Sequence, residues 1–189
     1  MPIKMSKRKG NFTTVKEVIE EVGVDIIRFI MLTRKNDAIL DFDLAKVKEQ
    51  SKENPVFYVQ YAHVRTVSIL SNGAEHTKDA YEKFTNKQCE LSLLSSEEEI
   101  GLIKLLASWP KVLEGAAKHF EPHRVAFYLL NVAAKFHAIW NLGKENNDYR
   151  FVIEDDIELT AARLALVKSI QKIIVNGLEI IGIKPLDRM

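Results

Sequence analysis

The 189-residue chain is 47% hydrophobic and 28% charged, the composition of a folded globular protein that can bury a sizeable core. Its formal net charge of +1 excludes bulk attraction to polyanions, so any anion binding must come from local clusters. The lone cysteine, Cys89, excludes an internal disulfide and a thiolate metal cluster, which fits a reducing cytoplasmic setting, and no apolar run approaches the ~20 residues of a membrane span.

The chain opens on "KMSKRKGN", with Lys4, Lys7, Arg8 and Lys9 close together. Lysine is a compact charge that suits phosphate, and the small Ser6 and Gly10 suit a loop that closes on a polyphosphate. The G-x-x-x-x-G-K spacing of a Walker A loop is absent. From Thr13 the pattern turns helical: Thr13 or Thr14 can cap, Val15, Val18, Ile19 and Val22 recur at steps of three and four, and Gly23 ends the helix. A short helix, "DIIRFIML", follows from Asp25, then a connector, "TRKNDAILDFD", and a third helix that Asp43 can cap. Pro55 opens the next helix, "PVFYVQYAHVRTVSIL", with Val56, Val59, Ala62, Val67 and Leu70 as its buried stripe.

Residues 71–95 read as polar and irregular. "SSEEEIGLIKLLASW" restarts a helix with a serine cap and an acidic first turn, and Pro110 breaks or restarts it. A strong helix runs from Pro122 to Gly143, and "KENNDYRFVIEDD" is a loop. The last helix begins near Leu159, with Ala162, Leu166, Ile170, Ile173, Ile174, Leu178 and Ile181 on a 3.6 period. The expected fold is therefore all-α: a segment of residues 1–52 ahead of a helical bundle over residues 53–189.

Three stretches carry recognition chemistry. In "FYVQYAHVR", Tyr58 and Tyr61 share a helix face, Arg65 lies four beyond Tyr61, and His63 falls on a neighbouring face. Aromatic faces beside an arginine make a stacking platform for unstacked bases. Spacing alone leaves open two core tyrosines with satisfied hydroxyls. In "KFHAIWN", Phe136 suits the core, while Trp140 and Asn141 can line the same surface. The tail places the Arg188 guanidinium beside Met189. His119 and His123 lie four apart, but Pro122 intervenes and no second ligand pair is visible, so no metal site is expected.

"KMSK" resembles the signature loop of class I aminoacyl-tRNA synthetases. The continuation, from "GNFTTVKEVIEEVGVDIIRFIML" through "NPVFYVQYAHVR", is similar to the segment after that loop in bacterial arginyl-tRNA synthetases. "ARLALVKSIQKIIVNGLEIIGIKPLDRM" resembles the family's C-terminal helix and Arg-Met end. The resemblance implies a C-terminal part running from the KMSK loop through an all-α anticodon-binding domain. It implies that Lys7 stabilises charge on the pyrophosphate side during arginyl-adenylate formation, assisted by Lys4 and Ser6, with ATP and Mg2+ as cofactors of the intact enzyme. It also implies that the nucleotide-binding domain lies upstream, so that this chain alone is expected to bind no ATP and to be inactive.

The partners implied are arginine-specific tRNA and the enzyme's remaining domains. The protein is expected to be a cytoplasmic monomer. Tyr58, Tyr61, His63, Arg65, Trp140, Asn141, Arg188 and Met189 are the expected tRNA contacts. Two other readings stay open: an all-α protein-interaction domain with buried tyrosines, and a class I synthetase for another amino acid. "QYAHVR" and the Arg-Met end argue against the latter.

Overall fold

The computed structural model describes residues 14–35 and 54–189. Lys4, Ser6, Lys7 and the helix expected from Asp43 lie outside them. The described residues form helices and connectors with no strand. None of these helices is long and apolar enough to cross a membrane.

The first helix, α1 (Val15–Val22), is set by a capping box. Thr14 Oγ1 accepts from the Glu17 amide at 3.2 Å, and the Glu17 carboxylate accepts from the Thr14 amide at 2.6 Å. Gly23, at φ 88°, separates it from α2 (Val24–Leu32). α3 (Pro55–His76) starts at Asn54, whose side-chain oxygen accepts from the Val56 and Phe57 amides, with Pro55 where no donor is needed. Short helices α4 (Lys78–Thr85), α5 (Glu97–Ala107) and α6 (Trp109–His119) precede two long ones, α7 (His123–Glu145) and α8 (Ile157–Ile180).

The core lies where α3, α7 and α8 pack together, with α2, α4, α5 and α6 closing its sides. The periodicity of α8 predicts one buried stripe. The helix also buries Ala161, Leu164 and Val167 beside Ala162, Leu166 and Ile170, because it runs between α3 and α4 on one side and α7 on the other. At Gly177 an added Cβ would come 2.6 Å from Leu129 Cδ2, so any side chain there would have to displace the buried Leu129 of α7. Phe29 of α2 is fully buried in the same core, which ties the N-terminal helices to the bundle.

Three expectations need correction. Residues 71–95 are not irregular: α3 continues to His76 and α4 follows, with Ala80 buried and Lys83 paired to Glu158 of α8. The low apolar content hid this helix, which is held by one face only. The buried face of α3 beyond Ala62 runs through Thr66, Ile69 and Gly73, while Val67 and Leu70 are half-buried. α7 passes Gly143 and ends at Glu145, whereas α8 starts at Ile157, near the expected Leu159, with Asp156 as its cap accepting from the Leu159 amide at 3.0 Å. The helix restart expected at Pro110 is present: the break between α5 and α6 falls at Ser108, and Trp109 opens α6 with Pro110 in its first turn. Trp109 there stacks on Tyr128 and donates to Asn176 Oδ1 at 3.1 Å.

One charged pair is buried in this frame. Arg163 Nε donates to Glu99 Oε1 at 2.8 Å, and Arg163 Nη1 donates to the Arg150 carbonyl at 2.7 Å. Glu99 also completes the Ser96 capping box of α5. Burial pushes the Glu99 carboxyl up, but the hydrogen bonds from Arg163 and Ser96 outweigh it and hold the group below the usual carboxylate value.

Candidate RNA-binding site

The first half of α3 lies against the second half of α7, and their facing side chains build one aromatic cluster around a cation. Helical spacing puts Tyr58, Tyr61 and Arg65 on one face of α3. The Arg65 guanidinium carbon sits 4.4 Å from the Tyr61 ring centroid and 4.5 Å from that of Trp140. Its Nη2 donates to the Tyr61 hydroxyl at 2.7 Å, and its Nη1 donates to His137 Nδ1 at 3.0 Å. Two cation–π contacts and two hydrogen bonds thus fix a side chain that would otherwise sample many rotamers.

His137 is the hub on α7. Its ring lies 4.7 Å from Tyr58, 5.7 Å and nearly parallel to Tyr61, and 5.6 Å from the fully buried Phe136. Tyr61 remains 40% exposed, and Phe57 stacks beside it at 6.1 Å. Tyr58 is half-buried; burial pushes its phenol up, against an opposing pull from Arg65. Asn141 is exposed next to Trp140. The Trp140 indole Nε1 is buried with no hydrogen-bond partner among the described residues. Trp140 also walls a cleft of about 350 Å³ shared with Ser68, Asn72, Lys144 and Arg150.

His63 takes a different place. It is 3% exposed, and its Nδ1 lies 2.8 Å from the Leu186 carbonyl, to which it must donate because a carbonyl only accepts. The buried Gln60 one turn earlier donates to the Lys184 carbonyl at 2.8 Å and accepts from the Leu186 amide at 3.0 Å. Together they hold the final segment against α3, and Arg188 and Met189 follow it in exposed positions.

The structure therefore brings Tyr58, Tyr61, Arg65 and Trp140 together, with Asn141 at the margin. It sets His63 beneath the surface as an anchor of the tail. His137 and Gln60 were missed as site residues. Both are polar residues on otherwise apolar helix faces, and that was the available signal. Such an arrangement offers an exposed aromatic face next to a fixed guanidinium plane, which suits stacking of an unpaired base. Among the described residues, no three His, Cys, Asp or Glu side chains gather to hold a metal ion.

Known proteins resemble this chain in sequence and in fold. The chain is 68% identical over its whole length to an arginine–tRNA ligase of Rickettsia bellii and spans about 33% of that protein. An arginyl-tRNA synthetase structure from Campylobacter jejuni superposes with a TM-score of 0.77 at 26% identity, covering 100% of this chain and 38% of that one. The Thermus thermophilus arginyl-tRNA synthetase superposes with a TM-score of 0.64 at 25% identity, covering 97% of this chain and 29% of that one. The family profile for the DALR anticodon binding domain matches residues 59–189, a span that contains most of the aromatic cluster and the docked tail, and the chain belongs to that family.

Proposed function

We propose that this chain is the tRNA-binding part of an arginine–tRNA ligase and that its aromatic cluster reads the anticodon loop of arginine tRNA. The observation that carries this reading is the Arg65 guanidinium held between Tyr61 and Trp140 on a half-exposed face. Tyr, Trp and Arg clusters also anchor protein interfaces, so the choice of RNA over a protein partner rests on the match to an anticodon binding domain. The similarity to arginine–tRNA ligases supports the choice of amino acid.

Phosphate contacts would position the RNA, and Tyr61, Trp140 and Asn141 would meet splayed bases. Arg188 and Met189 would close over the loop from the tail that Gln60 and His63 anchor. In the whole enzyme, arginine and ATP, with Mg2+, would give arginyl-adenylate and pyrophosphate, and the arginyl group would then pass to the hydroxyl at the tRNA 3′ end with release of AMP. Lys7, with Lys4 and Ser6, would stabilise charge on the departing pyrophosphate.

The test is binding of the 189-residue chain to an arginine-tRNA anticodon stem-loop, beside one with altered anticodon bases. The cognate loop should bind more tightly, and Tyr61→Ala should lose about 1–3 kcal/mol, as for one stacked base. Binding that ignores the anticodon and is indifferent to Tyr61→Ala would overturn the reading.

A further inference from the structure

We propose that the apolar groove bounded by the α1–α2 pair, the end of α6 and the end of α8 is the seat of the rest of a longer arginine–tRNA ligase, with Met31 and Phe120 as its anchors. This inference rests on reading the chain as part of such a ligase and is independent of the anticodon reading.

The groove has a volume of about 850 Å³. Its floor includes the buried Ile27, Val125 and Ile181, and its rim the exposed Val24, Met31, Phe120 and Ile180. Arg28 is the one polar side chain in its lining, and its guanidinium already donates to the Gly182 carbonyl. Met31 is 57% exposed and Ile180 50%, although both helices bury other residues in the core. Single exposed apolar side chains are ordinary, but several around one concave site mark a surface that a partner covers.

Phe120 is unfavourable in this chain on two counts. Its ring is 89% exposed, and its backbone sits at φ 55°, a conformation that residues with a side chain rarely adopt. Burial of the ring against a partner would offset both. Aromatic rings are the usual anchors of such contacts, and the flexible Met31 thioether adapts to an irregular surface.

The chemistry of the groove selects its occupant. With no free cation in the lining, it offers nothing to phosphate, so neither RNA nor an anionic lipid surface suits it. An apolar protein surface does. The chain spans 33% of the Rickettsia bellii ligase and 38% of the Campylobacter jejuni chain, so roughly two thirds of each of those proteins lies outside the part matched here. Adjoining domains of one chain commonly pack through interfaces of their own. The groove is walled by α1 and α2, which stand at the N-terminal edge of the described residues.

The experiment compares the 189-residue chain with a hybrid in which it replaces the matching third of the Rickettsia bellii ligase. Hydroxyl-radical footprinting reads side-chain exposure in both, and light scattering counts the copies. Met31 and Phe120 should react several-fold more slowly in the hybrid. Leu91, exposed and outside the groove, should react equally in both. Phe120→Asp should restore fast reaction at Met31 in the hybrid, without lowering the urea midpoint of the chain alone or its stem-loop binding. Equal reaction of Met31 and Phe120 in the two proteins overturns the proposal, whether both are open or both are already covered by the chain's own residues or a second copy. If the hybrid does not fold, the intact Rickettsia bellii ligase and its matching third are compared at the aligned positions, with the same two outcomes. Protection in the hybrid together with stem-loop binding that ignores the anticodon would remove the anticodon reading and leave the groove standing.

Discussion

Arg65 Nη1 lies 3.0 Å from His137 Nδ1, and since a guanidinium can only donate, that nitrogen must accept. The ring proton then belongs on Nε2, which faces the Tyr58 carbonyl at 3.4 Å. One histidine thus relays the position of the α3 backbone to the cation between Tyr61 and Trp140. His137→Phe keeps an aromatic ring but removes both ring nitrogens, the acceptor for Arg65 among them. The fold should survive with a loss of about 1–2 kcal/mol, and preference for the cognate loop should drop. His137→Gln, with an amide oxygen to offer, should restore part of both. Urea unfolding and stem-loop binding measure the two effects; a Phe variant equal to the parent in each would remove His137 from the site.

Gln60 holds the tail at Lys184 and Leu186 from a buried position. Gln60→Ala should cost about 1–2 kcal/mol, because two backbone bonds are exchanged for water. The loss should be local. Hydrogen exchange at the Leu186 amide should accelerate strongly, while the Ile183 amide, bonded to the Leu178 carbonyl at 2.8 Å, should keep its protection. Equal exchange at Leu186 in both proteins would show that the tail is held by something else.

The Glu99–Arg163 pair gives the fold a defined acid response. The Glu99 carboxyl is depressed in the folded protein, so its stabilisation is fully present above the ordinary carboxylate pKa. That stabilisation is lost as pH falls through the lower folded value. Glu99→Ala leaves Arg163 buried without its carboxylate and should cost about 3–5 kcal/mol at neutral pH. The loss should shrink below the carboxylate range, where the parent also has a protonated Glu99. Thermal melting from neutral to acid pH tests this, and a pH-independent difference would contradict it.

Two helix ends close in the same way with different residues. α6 ends with Phe120 at φ 55°, where Glu121 donates to the Ala116 carbonyl at 2.9 Å, and α8 ends with Gly182 at φ 73°. Phe120 is 89% exposed, so Phe120→Gly gives up little packing and relieves a left-handed side chain; it should stabilise by about 1 kcal/mol. Gly182→Ala should destabilise by a similar amount or more, since its Cβ would also approach Arg28 Nη1 at 2.8 Å. Opposite shifts in urea midpoint, at unchanged slope, are the expected result. Shifts of the same sign would contradict it.

By itself, the sequence determined what short-range periodicity and capping chemistry can specify. The Asn54–Pro55 start of α3, the Ser96 box of α5 and the apolar repeat of α8 all lie within a few turns, so the helices were legible. The shared face of Tyr58, Tyr61 and Arg65 was legible for the same reason. Tertiary structure alone decided which faces meet. The sandwich of Arg65 joins α3 to Trp140, and its acceptor His137 is 72 residues away in the chain. Likewise, only packing turned His63 inward to the tail, which returns across 123 residues to meet it. α4 was hidden because its few apolar residues become a helix face only when α8 is there to cover them. Periodicity is a local property of the backbone, whereas a binding site is made where two distant faces are pressed together by burial of the core beneath them.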